Sequence, residues 1–241
     1  ITACHWSSGD NLWTVSTVNS AGDKQDYTAN FLWMCQGYYD HERPYTPDWP
    51  GMDDFAGTIV HPQLWPNEID LENKRVVVVG SGATAATVLP AIADECEHVT
   101  LLQRSPTYFW PGENRNELAD QLRELEVPEE WVHDIIRRQM LKLTKDMQYA
   151  SAEYPDMVKD ELLKAVRENL GDDFDMSHFT PNYRPWQQRL AHVPDGDLFK
   201  AIKSGRVSVV TDHIDRFTPE GILTKSGELL EADIVITATG F

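Results

Sequence analysis

A short apolar strand that runs straight into a glycine turn and an alanine-rich helix leaves a chain few folds to choose from. Arg75-Val-Val-Val-Val79 is β-branched and too short for a helix, and it stops at Gly80-Ser-Gly-Ala-Thr-Ala85. A helical segment runs on to about Cys96, then a second strand, Val99-Thr-Leu-Leu-Gln103. Strand, turn, helix and strand within about thirty residues form a βαβ unit. Pro90 inside the helix predicts a kink or a local irregularity there. The turn spells G-x-G-x-x-A in the setting a dinucleotide site needs. Gly80 permits the tight turn, Gly82 lets backbone N–H groups approach a pyrophosphate, and Ala85 lets helix and strand pack closely. With Ser81, Ala83 and Thr84 they form a loop that would seat phosphate at the positive end of the helix dipole. A glycine turn in an α/β domain without a ligand is the plainer alternative.

The residues just after the second strand select the cofactor. An NAD site places Asp or Glu there to accept from the ribose 2′-hydroxyl. Here the strand runs into Arg104 and Ser105, 24 residues after Gly80. A cation and a hydroxyl suit a 2′-phosphate and leave no acceptor for a bare ribose, which favours NADPH/NADP+. A surface arginine is the competing reading of Arg104.

Around this unit the pattern changes several times. Residues 1–37 read as strands, with Leu12–Val18 alternating apolar and polar and Phe31-Leu-Trp-Met-Cys35 as a continuous run resembling a buried strand. Tyr38–Pro66 holds five prolines, which excludes a regular helix or a central strand and predicts an ordered linker. From Asn116 to Asn169 apolar residues recur at helical spacing: Leu118, Leu122 and Leu125, then Val132, Ile135, Ile136, Met140 and Leu143 after Pro128 at the first helical position, then Met157 to Leu170. Val207–Thr211, Ile214–Phe217, Gly221–Thr224 and Ile234–Thr237 are strands again.

Composition narrows the function classes. The net charge of -18 argues against a chain that binds a phosphate backbone or an anionic membrane. No stretch approaches the ~18 consecutive apolar residues of a membrane span, and the sequence does not open on a basic-then-apolar segment. Three cysteines, separated by 31 and 61 residues, supply no disulfide framework, zinc site or C-x-x-C redox pair. The default is a cytoplasmic, reducing-compartment protein.

The linker holds the second signal: Phe55-Ala-Gly57-Thr-Ile-Val-His61-Pro-Gln-Leu-Trp65-Pro66. Read alone, His61 is either a hydrogen-bonded structural histidine or a catalyst. The spacing F-x-G-x-x-x-H-x-x-x-W-P resembles, at Phe55, Gly57, His61, Trp65 and Pro66, the fingerprint of type I Baeyer–Villiger (class B flavoprotein) monooxygenases. With Leu102–Tyr108 and Val193–Phe199, the chain is most similar to the bacterial branch that includes the ethionamide-activating monooxygenase of mycobacteria.

That resemblance implies an α/β fold: a Rossmann-like NADPH-binding domain with a helical insertion, plus partial β-rich remnants of an FAD domain. The expected division is 1–66 for FAD-domain strands and linker, 67–232 for the NADPH domain with its insertion at about 116–180, and 233–241 for the start of the return. It implies NADPH and FAD as cofactors, O2 as co-substrate, and a small-molecule ketone or sulfide as substrate. Arg189 would stabilise an anionic flavin peroxide. Gln188 stands where many relatives have a lysine that helps with the 2′-phosphate, which shifts phosphate recognition onto Arg104 and Ser105. Asp233–Phe241, with Thr239 and Gly240, resembles the D-x-x-x-x-A-T-G element leading back to the FAD domain. Ile1 is not a Met and Phe241 follows an apolar run, so the expectation is a fragment centred on the NADPH domain. Its missing partners are FAD-domain segments of the same protein, and alone it is expected neither to hold FAD tightly nor to turn over. Two alternatives stay open: an N- or S-oxygenating flavin monooxygenase, and a non-catalytic NADP-binding module.

Overall fold

The computed structural model describes residues 1–37, 39–40 and 42–240. Tyr38, where the linker reading begins, and Phe241, the last residue of the return element, lie outside the described residues. The chain forms two compact units, 1–41 and 42–241.

The first unit is an antiparallel meander of β1 (Ala3–Ser7), β2 (Leu12–Val18) and β3 (Lys24–Ala29), in that order. Asn11 takes the left-handed backbone (φ 52) that the β1–β2 turn needs, and the Asn19 side chain closes the next turn by accepting from the N–H groups of Ala21 and Asp23, both at 2.9 Å. Trp6 and Trp13 face each other across β1 and β2, ring centroids 5.6 Å apart. Phe31–Cys35 departs from the sequence expectation: it forms no strand, and Phe31, Trp33 and Met34 are exposed. A continuous apolar strand needs neighbours and cover on both faces, and a single three-stranded layer offers neither.

The second unit is organised by a five-stranded, wholly parallel sheet in the order β4-β13-β5-β6-β9. Its strands are β4 (Thr58–Val60), β5 (Arg75–Val79), β6 (His98–Gln103), β9 (Val207–Thr211) and β13 (Ile234–Thr237). The other strands are β7 (Phe109–Gly112) and β8 (Ala191–Pro194), a parallel pair, and β10 (Ile214–Thr218), β11 (Gly221–Thr224) and β12 (Leu229–Glu231), an antiparallel meander. The helices are α1 (Ala83–Ile92), α2 (Glu117–Glu124), α3 (Glu129–Glu153), α4 (Pro155–Leu170) and α5 (Asp197–Lys203). The linker reading is thereby refined: the proline-rich stretch contributes β4, at the sheet edge where proline neighbours cost no ladder bonds.

The period of two in the strands builds both faces. Val76, Val78, Leu101, Ile234 and Ile236 pack into one core with Leu89 and Ile92 of α1, Val166 and Leu170 of α4, and Leu198 and Phe199 of α5. Their alternates Val77, Val79, Leu102 and Val235 meet Phe217, Ile222 and Leu230 of the meander. One face is therefore helical and the other β. Each fully buried Val or Leu contributes about 1.5–3 kcal/mol relative to exposure, so both faces are essential. α1 runs through Pro90 for two further residues, in the last turn where a lost donor matters least.

Asn116 caps α2, its side chain accepting from Ala119 N–H at 3.0 Å; Pro128 is the N-cap of α3, one position earlier than expected, and Pro155 opens α4. The apolar spacing of α3 does not become a covered stripe along its whole length: Val132 is buried, whereas Ile135, Met140 and Leu143 are exposed. That helix packs chiefly on α2 and α4, which leaves much of its length uncovered. Among the described residues, no helix is long and apolar enough to cross a membrane.

Two carboxylates fasten the ends of this sheet. Asp233 accepts from Arg75 N–H at 2.8 Å while its carbonyl accepts from Thr58 N–H at 3.0 Å, so one residue registers β4, β13 and β5. Asp212 joins the β9–β10 turn to the β11–β12 turn, accepting from Ser226 N–H at 2.9 Å and His213 N–H at 2.6 Å. Hydrogen bonds from Ser226, then from His213, hold its carboxyl down at about 2 against an ordinary 3.8. A depressed carboxylate contributes stability that is present above the unfolded value and lost as pH falls through the folded one. Asp212→Asn should therefore lower the urea midpoint at pH 7, with the gap to the unmodified chain closing between pH 4 and 2; a gap independent of pH would refute the assignment.

Candidate functional site

From β5 the chain moves through α1 to β6 and then to β9 on one side, and β13 lies against the other side of β5. The strand order reverses there, and in open α/β sheets such a reversal, at the carboxyl ends of the strands, is where ligands sit. The two strand ends that diverge are Gly80 and Ala238-Thr239-Gly240.

Gly80 has φ +121, and a Cβ on it would lie 2.3 Å from the Ala238 carbonyl oxygen; its N–H donates to Leu102 O at 2.8 Å. It is glycine because the two strand ends touch. Gly82 differs: it is the N-cap of α1, no side chain caps the helix, and a Cβ there would meet nothing within 4 Å. Among the described residues no side-chain hydrogen bond to the first amides of α1 is seen, and Ala83 is exposed and Thr84 half-buried beside the open position at Gly82. That opening fits a pyrophosphate. Ala85 is fully buried against the sheet, as close helix packing requires.

The fingerprint residues divide by role. Phe55 is buried, its ring edge-on to Phe217 at 5.9 Å. A Cβ on Gly57 would lie 2.3 Å from Asp233 O and 2.5 Å from the Phe55 ring, so packing alone demands glycine. His61 Nδ1 accepts from Gln63 N–H at 3.1 Å, and its Nε2 lies 3.2 Å from Gly240 O. A main-chain N–H can only donate and a carbonyl only accept, so the neutral ring carries its proton on Nε2. His61 is a clasp between the linker and the segment after β13. Trp65 and Pro66 are exposed. His61, Pro62 and Gln63 line a cleft of about 180 Å³ with Thr84, Ala238 and Gly240.

Ser81 turns inward to its neighbours. Its hydroxyl is 2.9 Å from Thr107 Oγ1 and donates to Ser105 O at 3.3 Å. Arg104 and Ser105 are exposed beside this contact, and Arg104 makes no ion pair among the described residues. Thr239 donates to Tyr45 O at 3.3 Å, while Thr46 Oγ1 lies 3.4 Å from Thr237 Oγ1.

Gln188 and Arg189 are exposed, and no described hydrogen bond or ion pair joins them to the glycine turn or to Arg104. They come after a turn closed by Gln187 N–H to Arg184 O at 3.0 Å, with Trp186 at φ 63. A left-handed backbone at so bulky a residue is rare. That loop is tied to the rest of the site by Tyr108, which is buried and donates to Tyr183 O at 2.8 Å. Burial first, then the neighbouring Tyr183, pushes the Tyr108 hydroxyl above its ordinary value. Sequence reasoning assigned no role to Tyr45, Thr46, Gln63 or Thr107. The last lies within the Leu102–Tyr108 segment, just after Pro106, which stiffens the turn after β6.

A profile of the FMO-like (flavin-binding monooxygenase-like) family matches residues 1–117. MymA of Mycobacterium tuberculosis is 45% identical over 245 residues, covering 100% of this chain and 49% of its own length. The FAD-containing monooxygenase EthA of the same organism is 43% identical over 242 residues, with coverages of 100% and 49%. The chain spans about half the length of the curated relatives it matches. Among solved structures, cyclohexanone monooxygenase from Rhodococcus sp. Phi1 bound to NADP+ shares the fold with a TM-score of 0.70, at 23% identity over 100% of this chain and 51% of that one.

Proposed function

We propose that this chain, similar over its whole length to EthA and MymA, belongs to the class B flavin monooxygenases and supplies the NADPH-binding part of an NADPH-, FAD- and O2-dependent monooxygenase. The reaction proposed is insertion of one oxygen atom into a ketone, or its addition to sulfur. The observation that carries the reading is the uncapped N-terminus of α1, open at Gly82, at the reversal of strand order.

In this reading Gly80, Ser81, Gly82, Ala83 and Thr84 form the pyrophosphate cradle. Arg104 and Ser105 bind the 2′-phosphate, and Gln188 stands beside the catalytic residue Arg189. The Arg189 guanidinium, exposed and with no ion-pair partner among the described residues, is available to hold negative charge close to it. Thr239 and Gly240, clasped by Tyr45 and His61, fix the angle at which the chain leaves β13. When bound, NADPH supplies hydride and FAD the means of activating O2. Residues 67–232 are proposed as the body of the NADPH domain, its sheet completed by β4 and β13 from the flanking segments 1–66 and 233–241, which otherwise lead to the FAD side; the location is proposed as cytoplasmic.

The gene product that carries this chain, given FAD, NADPH and O2, should convert cyclohexanone to its lactone and a thioether to its sulfoxide. Oxidation of an amine with no lactone would transfer it to the N-oxygenating enzymes. No NADPH-dependent oxygen uptake with any of the three substrates would sink the proposal. The 241-residue chain by itself should purify without a stoichiometric flavin band.

A further inference from the structure

We propose that Thr107 is a positioning residue for the 2′-phosphate end of the dinucleotide site. The inference rests on the reading of that site as one for NADPH, and it adds the device that joins its two halves.

The halves come from different elements. The glycine turn succeeds β5, and Arg104-Ser105 succeeds β6. β5 and β6 are neighbours in the sheet, and Gly80 N–H donates to Leu102 O where they end. Beyond Gln103 no ladder bond among the described residues holds the chain, and Arg104 and Ser105 are exposed. A relay of two hydroxyls holds it instead. Ser81 has one proton, and the Ser105 carbonyl 3.3 Å away can only accept, so Ser81 donates there. The 2.9 Å contact between Ser81 Oγ and Thr107 Oγ1 must then run from Thr107 to Ser81. The order is Thr107 O–H to Ser81 Oγ, and Ser81 O–H to Ser105 C=O. Pro106 lies inside this loop and fixes its φ.

Ser105 is thus pinned by its carbonyl against the pyrophosphate turn, so Arg104, one residue earlier, is held near the same edge. With its one hydroxyl proton assigned to Ser81, Thr107 has no donor left for a phosphate. Its loss therefore acts through the placement of Arg104 and Ser105, which a 2′-phosphate needs and a bare 2′-hydroxyl does not. A purely structural threonine would weaken NADP+ and NAD+ alike.

The test is calorimetric titration of the chain with NADP+ and with NAD+, using Thr107→Val, which keeps the shape and removes the hydroxyl, and Thr107→Ser, which restores it. Thr107→Val should lose about tenfold in NADP+ affinity, as for one hydrogen bond, with NAD+ affinity changed by less than about twofold. Thr107→Ser should recover most of the NADP+ affinity. Equal losses for both nucleotides, no loss at all, or failure of the serine variant to rescue would each overturn the proposal. An unmodified chain that binds NADP+ no better than NAD+ would remove the NADPH reading itself, and the role of Thr107 with it; in that case the first titration, before any variant, already shows which has failed.

Discussion

Replacing Gly80 with alanine should both unfold the larger unit early and abolish dinucleotide binding. The new methyl group would sit 2.3 Å from the Ala238 carbonyl oxygen, on a residue whose φ of +121 is foreign to L side chains. Neither atom can step aside. Gly80 N–H is bonded to Leu102 O, and Ala238 comes directly after a strand paired on both sides, with β4 and β5. Relief requires parting β5 from β13 at their carboxyl ends, in the middle of the sheet. A strained backbone costs about 1–3 kcal/mol and a forced overlap in a packed interior a further 1–3 kcal/mol or so. For a unit of this size that lowers the melting temperature by roughly 5–20 °C. Gly82→Ala is the control: a Cβ there meets nothing within 4 Å and its φ of -81 is ordinary. It should keep the melting temperature within a degree or two and lose NADP+ binding alone, because the methyl would occupy the opening at the helix N-terminus. If Gly80→Ala melts like the unmodified chain, the contact between the strand ends is not what makes that residue a glycine.

Removing the Arg104 side chain is the second large effect expected. Charge-assisted hydrogen bonds contribute about 1.5–3 kcal/mol each, so Arg104→Ala should weaken NADP+ by about 10- to 100-fold and NAD+ by about twofold or less. The net charge of -18 makes the residue matter more, since the rest of the surface opposes a phosphate. Beyond roughly 10 Å that opposition is screened at 0.1 M salt, leaving the nearest cation to decide. Arg104→Lys should recover part of the loss, as a point charge replaces a planar fork. Calorimetry with both nucleotides reads all of this, and equal losses for NADP+ and NAD+ would refute the role of Arg104.

These two residues were legible in the sequence because their signals are local. A β-branched run, a glycine turn and an alanine-rich helix lie side by side in the chain, and Arg104 is counted from them. The same holds for β9–β11 and β13, whose apolar and β-branched residues cluster within a few positions. Other parts depend on distant partners. β4 is three residues of a proline-rich stretch and becomes a strand only because β13, some 176 residues later, lies beside it. β7 and β8 pair across 82 residues, and neither pattern announces a strand by itself. Thr107, Tyr45 and Thr46 are ordinary polar residues until folding brings a hydroxyl or carbonyl to them. Phe31–Cys35 shows the opposite error: strand-like composition where no neighbouring ladder exists.

The place of β13 in the sheet also sets an order of events. It is the last made of this sheet's five strands and yet lies between β4 and β5, so on a ribosome an interior strand follows the neighbours it must join. Until residues 234–237 emerge, β5 exposes a bare edge of four valines and β4 has nothing to pair with. Assembly by such distant contacts is slow, because loop-closure entropy must be met before any ladder bond repays it. The waiting edge is a template for the wrong partner. Chains halted before β13 should therefore be the aggregation-prone species of this protein, and its yield should respond to translation speed and chaperone supply more than to the strength of its finished core.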